Sequence, residues 1–252
     1  MNFLYHFRLG IILILVFTVA CATAQDPLRN KKAEAARNLG EAYLREGNFT
    51  QALKELLKAE SLNPDDPYLQ NDIGLTYYGK RKYDDAIRHY KKALDLKSDY
   101  APAMNNLGNA YMAQKRWDSA IEYYEQALDS ALYATPHYSL SNLGAVYYEK
   151  QDYRRSEQYY LEALEHEPDF VQALRGIART YMAVGRVEDA IFRLKKAVRI
   201  KPDVALLHYE LGNAYREAGY RRDARDAYNQ AILLAPESAV ADEARMGLKK
   251  LN

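Results

Sequence analysis

Small and large positions recur along this chain with a long, regular period. A glycine stands at Gly40, Gly74, Gly108, Gly144 and Gly212, with Ala178 in the fifth place, at steps of 34, 34, 36, 34 and 34 residues. Tyrosine follows three positions later each time: Tyr43, Tyr77, Tyr111, Tyr147, Tyr181 and Tyr215. A small residue comes twelve after the glycine slot, at Ala52, Ala86, Ala120, Ser156, Ala190 and Ala224. A large one follows four later, at Leu56, Tyr90, Tyr124, Tyr160, Leu194 and Tyr228. Alanine comes three beyond that, at Ala59, Ala93, Ala127, Ala163, Ala197 and Ala231. Spacings of three and four place these residues on single helical faces. The pattern predicts a pair of helices per unit, in the second unit over roughly 67–79 and 84–96. The two small slots let the helices approach, and the large side chains fill the space beside the contact. Pro64, Pro168, Pro202 and Pro236 end four of the units, because proline cannot continue a helix. Lys97 to Tyr100 lacks that proline and predicts a softer turn. Asp84 and Asp118 are expected to cap the second helices of their units.

This residue order at this period resembles the tetratricopeptide (TPR) signature. The expected fold is all-α: a right-handed α-solenoid of six TPR helix pairs plus a C-terminal capping helix. The repeats are expected at 33–66, 67–100, 101–134, 137–170, 171–204 and 205–238, as one array. Residues 239–252 supply the cap, with Asp242, Glu243, Arg245, Lys249 and Lys250 facing outward.

The first 24 residues differ from the rest. Arg8 is their one charge, and an apolar run from Leu9 to Val19 follows it. That is the layout of an export signal, and the run is short for a membrane span. Two processing sites compete. Thr18-Val19-Ala20-Cys21 resembles a bacterial lipobox, which makes 1–20 the signal and Cys21 the lipidated first residue. Ala22-Thr23-Ala24 fits ordinary cleavage after 24. Residues 21–32 read as a tether to the first repeat. Cys21 is the chain's single cysteine, so no internal disulfide can form.

Charge and chemistry narrow the function. The chain has 35 Lys+Arg and 34 Asp+Glu, and loss of Arg8 with the signal leaves 34 of each. No basic excess points to nucleic acid, and no polybasic stretch is read as a lipid-surface patch. His89, His137, His166 and His208 fall at different phases of different repeats and share no ligand spacing, so no metal is expected. No phosphate loop, nucleophile elbow or acid–base carboxylate pair emerges, so neither an enzyme nor a cofactor is expected.

In a TPR array the first helix of each pair lines the concave face. With the glycine slot as position 8, positions 2, 5, 9 and 12 share the expected open face. These are Tyr68, Asn71, Leu75 and Tyr78 in the second repeat, and Asn105, Asn109 and Met112 in the third. Tyr138, Ala145 and Tyr148 follow in the fourth, and Arg175 and Arg179 in the fifth. The expected groove is aromatic and amide-bearing in its middle and basic toward its C-terminal end, a surface suited to a protein segment. The one break in period, around Ser130 to Pro136, adds two residues between the third and fourth repeats.

That junction carries a second resemblance. The run Ala127-Leu128-Asp129-Ser130-Ala131-Leu132-Tyr133, then Pro136, then Asn142-Leu143-Gly144, resembles the type IV pilus pilotins of the PilF/PilW/Tgl type. The resemblance implies an outer-membrane lipoprotein facing the periplasm that helps a pilus secretin assemble. It implies a protein partner, membrane attachment through the lipid, and neither nucleic acid nor a small-molecule substrate. Two other readings stay open: a general periplasmic or secreted TPR adaptor in envelope assembly, and a non-catalytic accessory subunit of an envelope enzyme.

Overall fold

The computed structural model describes residues 27–130 and 133–251, all turns and α-helices, with no strand among them. The expected signal at 1–20, Cys21, tether residues 22–26, and Ala131 and Leu132 of the junction lie outside the described residues. Thirteen helices are described, in two compact units divided between Lys97 and Ser98, at the connection that lacks its proline. The first unit holds α1 (Pro27–Arg45), α2 (Phe49–Leu62), α3 (Pro67–Gly79) and α4 (Tyr83–Leu96). The second holds α5 (Ala101–Ala113), α6 (Trp117–Asp129), α7 (Pro136–Glu149), α8 (Tyr153–His166), α9 (Val171–Ala183), α10 (Val187–Ile200), α11 (Ala205–Glu217), α12 (Arg221–Leu234) and α13 (Ala239–Lys249). The segment expected as tether is already helical from Pro27, and Arg29 reaches across to the Ser61 carbonyl at 3.3 Å.

Odd-numbered helices up to α11 are the first members of each pair and even-numbered helices the second. Each pair turns on one backbone device. The residue at position 15 takes the left-handed conformation in all six repeats: Gly47, Arg81, Lys115, Gln151, Gly185 and Gly219, with φ between 58° and 79°. The next N–H then donates to the carbonyl of the recurring tyrosine, as Lys82 does to Tyr77 and Asp152 to Tyr147, both at 2.9 Å. This six-to-one bond closes the first helix. It also sets the cap of the second helix at position 16, where Asn48 and Asp152 accept backbone N–H groups and Lys82 and Arg116 have no capping side chain. Asp84 and Asp118 are therefore first-turn residues rather than caps. Negative charge is favoured there by the helix dipole.

Packing inside each pair depends on the small slot. A Cβ on Gly108 would lie 2.6 Å from Cε1 of Tyr124, a ring with no exposed surface. In the fifth repeat, where Ala178 fills the slot, Leu194 replaces the ring. Tyr160 is gripped twice, by Gly144 of its own repeat and Gly176 of the next, and Tyr228 likewise by Gly212 and Gly247 of α13. Ser156 replaces the second small residue and stays fully buried by donating to the Gly144 carbonyl at 2.8 Å. Each unit encloses an apolar core: Ala36, Leu56, Leu69 and Ile73 in the first, and Leu174, Ile177, Leu194 and Leu207 in the second.

Two measurements check this account. Gly108→Ala is expected to lower stability by about 1–3 kcal/mol, because overpacking outweighs the roughly 1 kcal/mol gain in helix propensity. In a Tyr124→Leu background, denaturant titration should show the loss largely gone. Gln151→Gly should raise stability by roughly 0.5–1 kcal/mol by relieving a left-handed non-glycine residue.

Candidate partner-binding site

First helices touch first helices of neighbouring repeats within each unit, α1 with α3, α5 with α7 and α7 with α9. Position 5 of one then meets position 6 of the next. Arg37 Nε donates to Asp72 Oδ2 at 3.0 Å. Asn142 Nδ2 donates to Asn105 Oδ1 at 3.0 Å. Arg175 Nε lies 2.8 Å from both carboxylate oxygens of Glu210. Position 5 thus lies at a helix–helix seam. The sequence reading placed it wholly on the open face, which holds least for Asn71, only 5% exposed.

The other expected residues divide by environment. In the first unit Tyr68 is exposed, its hydroxyl accepts from Lys97 Nζ at 3.0 Å, and Arg37 and Lys97 lie over its ring. Leu75 and Tyr78 are half-buried, and Tyr78 packs against Tyr83 with ring centroids 5.5 Å apart. In the second unit Asn109 accepts from Tyr124 Oη at 2.7 Å and from Asn142 Nδ2 at 3.0 Å. Met112 Sδ is 3.7 Å from the same tyrosine hydroxyl. Ser139 Oγ joins the network at Asn105, and the Tyr133 hydroxyl ties the lengthened connection to Ser139 at 3.1 Å. Tyr138 is exposed at the entry of α7 and packs edge-on against Phe170. The amide and hydroxyl groups expected to greet a partner thus already serve the fold in part.

What remains open is concentrated on α7, α9 and α11. A cavity of about 360 Å³ is lined by Tyr148, Ala178, Met182, Leu194, Glu210 and Asn213, with Arg179 on its rim. A second of about 230 Å³ shares Arg179 and runs over Ala145 and Arg175. Arg179 is exposed, and its guanidinium lies 4.6 Å from the centroid of the Tyr148 ring. Burial pushes the Glu210 carboxyl up, while hydrogen bonding and charge from Arg175 hold it down. Two guanidinium groups and one carboxylate leave this stretch with a positive excess. Glu210, at position 6, is the polar lining residue that the repeat phase does not place on the open face. Met182 and Asn213 sit at positions 12 and 9, where the repeat phase points to them.

Comparison with known proteins bears on the fold. Two family models described as tetratricopeptide repeat match residues 99–166 and 205–238, and a third, described as TPR repeat, matches 40–81, 80–115 and 178–219. The chain belongs to the tetratricopeptide repeat family. Its fold is similar to the crystal structure of PilW, described as a widely conserved type IV pilus biogenesis factor: TM-score 0.76, 23% identity, covering 83% of this chain and 96% of that one. It is likewise similar to pilF of Pseudomonas aeruginosa: TM-score 0.73, 22% identity, covering 86% and 98%. Among curated proteins it resembles the Protein CTR9 homolog of Arabidopsis thaliana, 25% identical over 111 residues. That stretch is 42% of this chain and 10% of the relative, so this chain matches only a small part of that protein.

The seam in the first unit has a titration signature. Burial raises the Asp72 carboxyl to about 7, opposed by Arg37, with Glu41 adding to the rise. A carboxyl raised on folding contributes stability at low pH that is lost as pH rises through about 7. Relative to Asp72→Asn, the unsubstituted protein should therefore lose stability between about pH 5 and about pH 8, read as denaturation midpoints at both values.

Proposed function

We propose that this member of the tetratricopeptide repeat family is a non-catalytic scaffold that holds a protein partner on the open face of its second unit. The partner role is assembly of a type IV pilus secretin, at the periplasmic face of the bacterial outer membrane, with the scaffold tethered through a lipid on Cys21. The observation that carries the binding reading is the cavity between α7, α9, α10 and α11. Its floor of Ala178, Met182 and Leu194 suits an apolar anchor side chain, and Tyr148 and Arg179 form a wall rich in the residue types that dominate interfaces. The pilus reading is supported by the fold shared with PilW and pilF across nearly the full length of those chains, and by the junction from Ala127 to Tyr133. A tether confines the scaffold near the membrane, so capture of a segment raises the local concentration of the partner where it must assemble.

The variant Tyr148→Ala/Met182→Ala is expected to weaken capture of the secretin at least tenfold in a binding titration, with helicity retained. Cys21→Ala should weaken the protein's attachment to the membrane fraction and lower secretin multimer levels in cells. Secretin capture unchanged by the paired substitution would overturn the cavity assignment. Normal multimers in a strain lacking the protein would overturn the pilus role.

A further inference from the structure

The outer face of α10 combines exposed cations with an exposed aromatic ring. The helix buries Ala190, Ile191, Leu194 and Ala197 in the core. Phe192, Lys195 and Arg199, spaced by three and four, form one stripe on the side facing away. Phe192 is 62% exposed, and the Arg193 guanidinium lies 5.7 Å from the centroid of its ring. Lys195, Arg199 and the following Lys201 are all exposed. Between Ala190 and Pro202 the chain has five cations and no acid, a run the whole-chain charge balance conceals.

Neighbouring acids do not neutralise this stripe. Asp189 pairs with Arg186 at 2.7 Å, and Glu188 accepts from the Tyr220 hydroxyl at 2.8 Å. Among the described residues, Lys196 alone of the five has a carboxylate partner, Asp169 at 3.0 Å. Among the described residues no carboxylate lies within ion-pair distance of Lys195, Arg199 or Lys201. The helix dipole accounts for cations in and after the last turn, Arg199 and Lys201. It accounts neither for Lys195 nor for a phenylalanine left in water.

We propose that this face docks the protein on an anionic lipid bilayer. Exposed cations meet lipid phosphates, and the Phe192 ring enters the boundary between headgroups and acyl chains, the arrangement that holds interfacial helices. From Phe192 to Arg199 the stripe is about 10 Å long by helical rise, enough for a few headgroups and short for tracking a nucleic acid. Charge complementarity selects an anionic surface, and a bilayer needs no shaped recess for the aromatic ring. The docking is separate from any lipid on Cys21 and from the cavity, to which α10 contributes only Leu194 of its buried face. With a tether it would supply a second, weaker attachment that orients the second unit at the membrane.

The test uses the full chain carrying Cys21→Ser, so that no acyl chain contributes, in sedimentation with phosphatidylcholine vesicles and with vesicles containing phosphatidylglycerol. Partitioning should be at least tenfold stronger to the anionic vesicles and should weaken as salt is raised, since exposed charges are screened. Lys195→Glu/Arg199→Glu should remove the preference. Phe192→Ser should weaken binding several-fold while keeping its salt dependence. If the charge reversal disturbs the helical signal, Lys195→Gln/Arg199→Gln replaces it. Equal partitioning to both vesicle types would overturn the proposal, as would anionic binding untouched by the charge substitutions. Binding to an acidic polymer as tight as to anionic vesicles and indifferent to Phe192→Ser would assign the face to an acidic macromolecule instead.

Discussion

A tyrosine ring held against a helix backbone is the contact on which the rest of the molecule depends. The helices of a pair approach closely where one of them has little or no side chain, and a ring that fills the remaining gap has no room to move. Tyr124 shows this at Gly108, and Ala178 with Leu194 shows the compensated form, a larger slot residue with a smaller partner. Tyr160 and Tyr228 extend the constraint across a boundary, because each ring also rests on a glycine of the next element. At these two rings, spacing within the pair and spacing to the next element are set by the same side chain.

Polar chemistry follows from that spacing. With the first helices held close, position 5 of one repeat falls opposite position 6 of the next, and a buried or half-buried polar group there must find a partner. The solutions differ in charge: Arg37 with Asp72, Asn105 with Asn142, Arg175 with Glu210. Tyr124 and Tyr228 send their hydroxyls to the open side, where Asn109 and Asn213 accept them. The open face is consequently a mixture of groups that brace the array and groups that take no part in the seams. Arg179, Met182 and Tyr148 belong to the second kind, which is why the cavity forms among them.

The two sides of the second unit are suited to different work. The cavity side offers depth, an apolar floor and one unneutralised guanidinium, features that would let it discriminate between side chains of the proposed partner. The outer side of α10 offers exposed charge and a single ring without depth, features that discriminate only between surfaces. A repeat fold permits this division because second helices turn one face to the core and the other to solvent, leaving their outward residues free of packing constraints.

The helix pairs, their phase and the identity of the packing tyrosines were legible in the sequence, because each depends on residues three, four or thirty-four apart whose sizes must match. Positions 9 and 12 were legible for the same reason. The turn residue at position 15 was partly so: Gly47, Gly185 and Gly219 announce a left-handed turn, whereas Arg81, Lys115 and Gln151 hide it, and the caps at Asp84 and Asp118 were misplaced in consequence. The seam at position 5, the burial of Asn71 and the neutralisation of Arg175 by Glu210 were not legible. The sequence by itself determined the repeat and the partners inside each pair, since local periodicity specifies which side chains face one another. Only the tertiary structure decided which open-face groups remain available and where charge is left over. Those outcomes depend on angstrom-scale approach between residues some thirty-five positions apart, which periodicity does not contain.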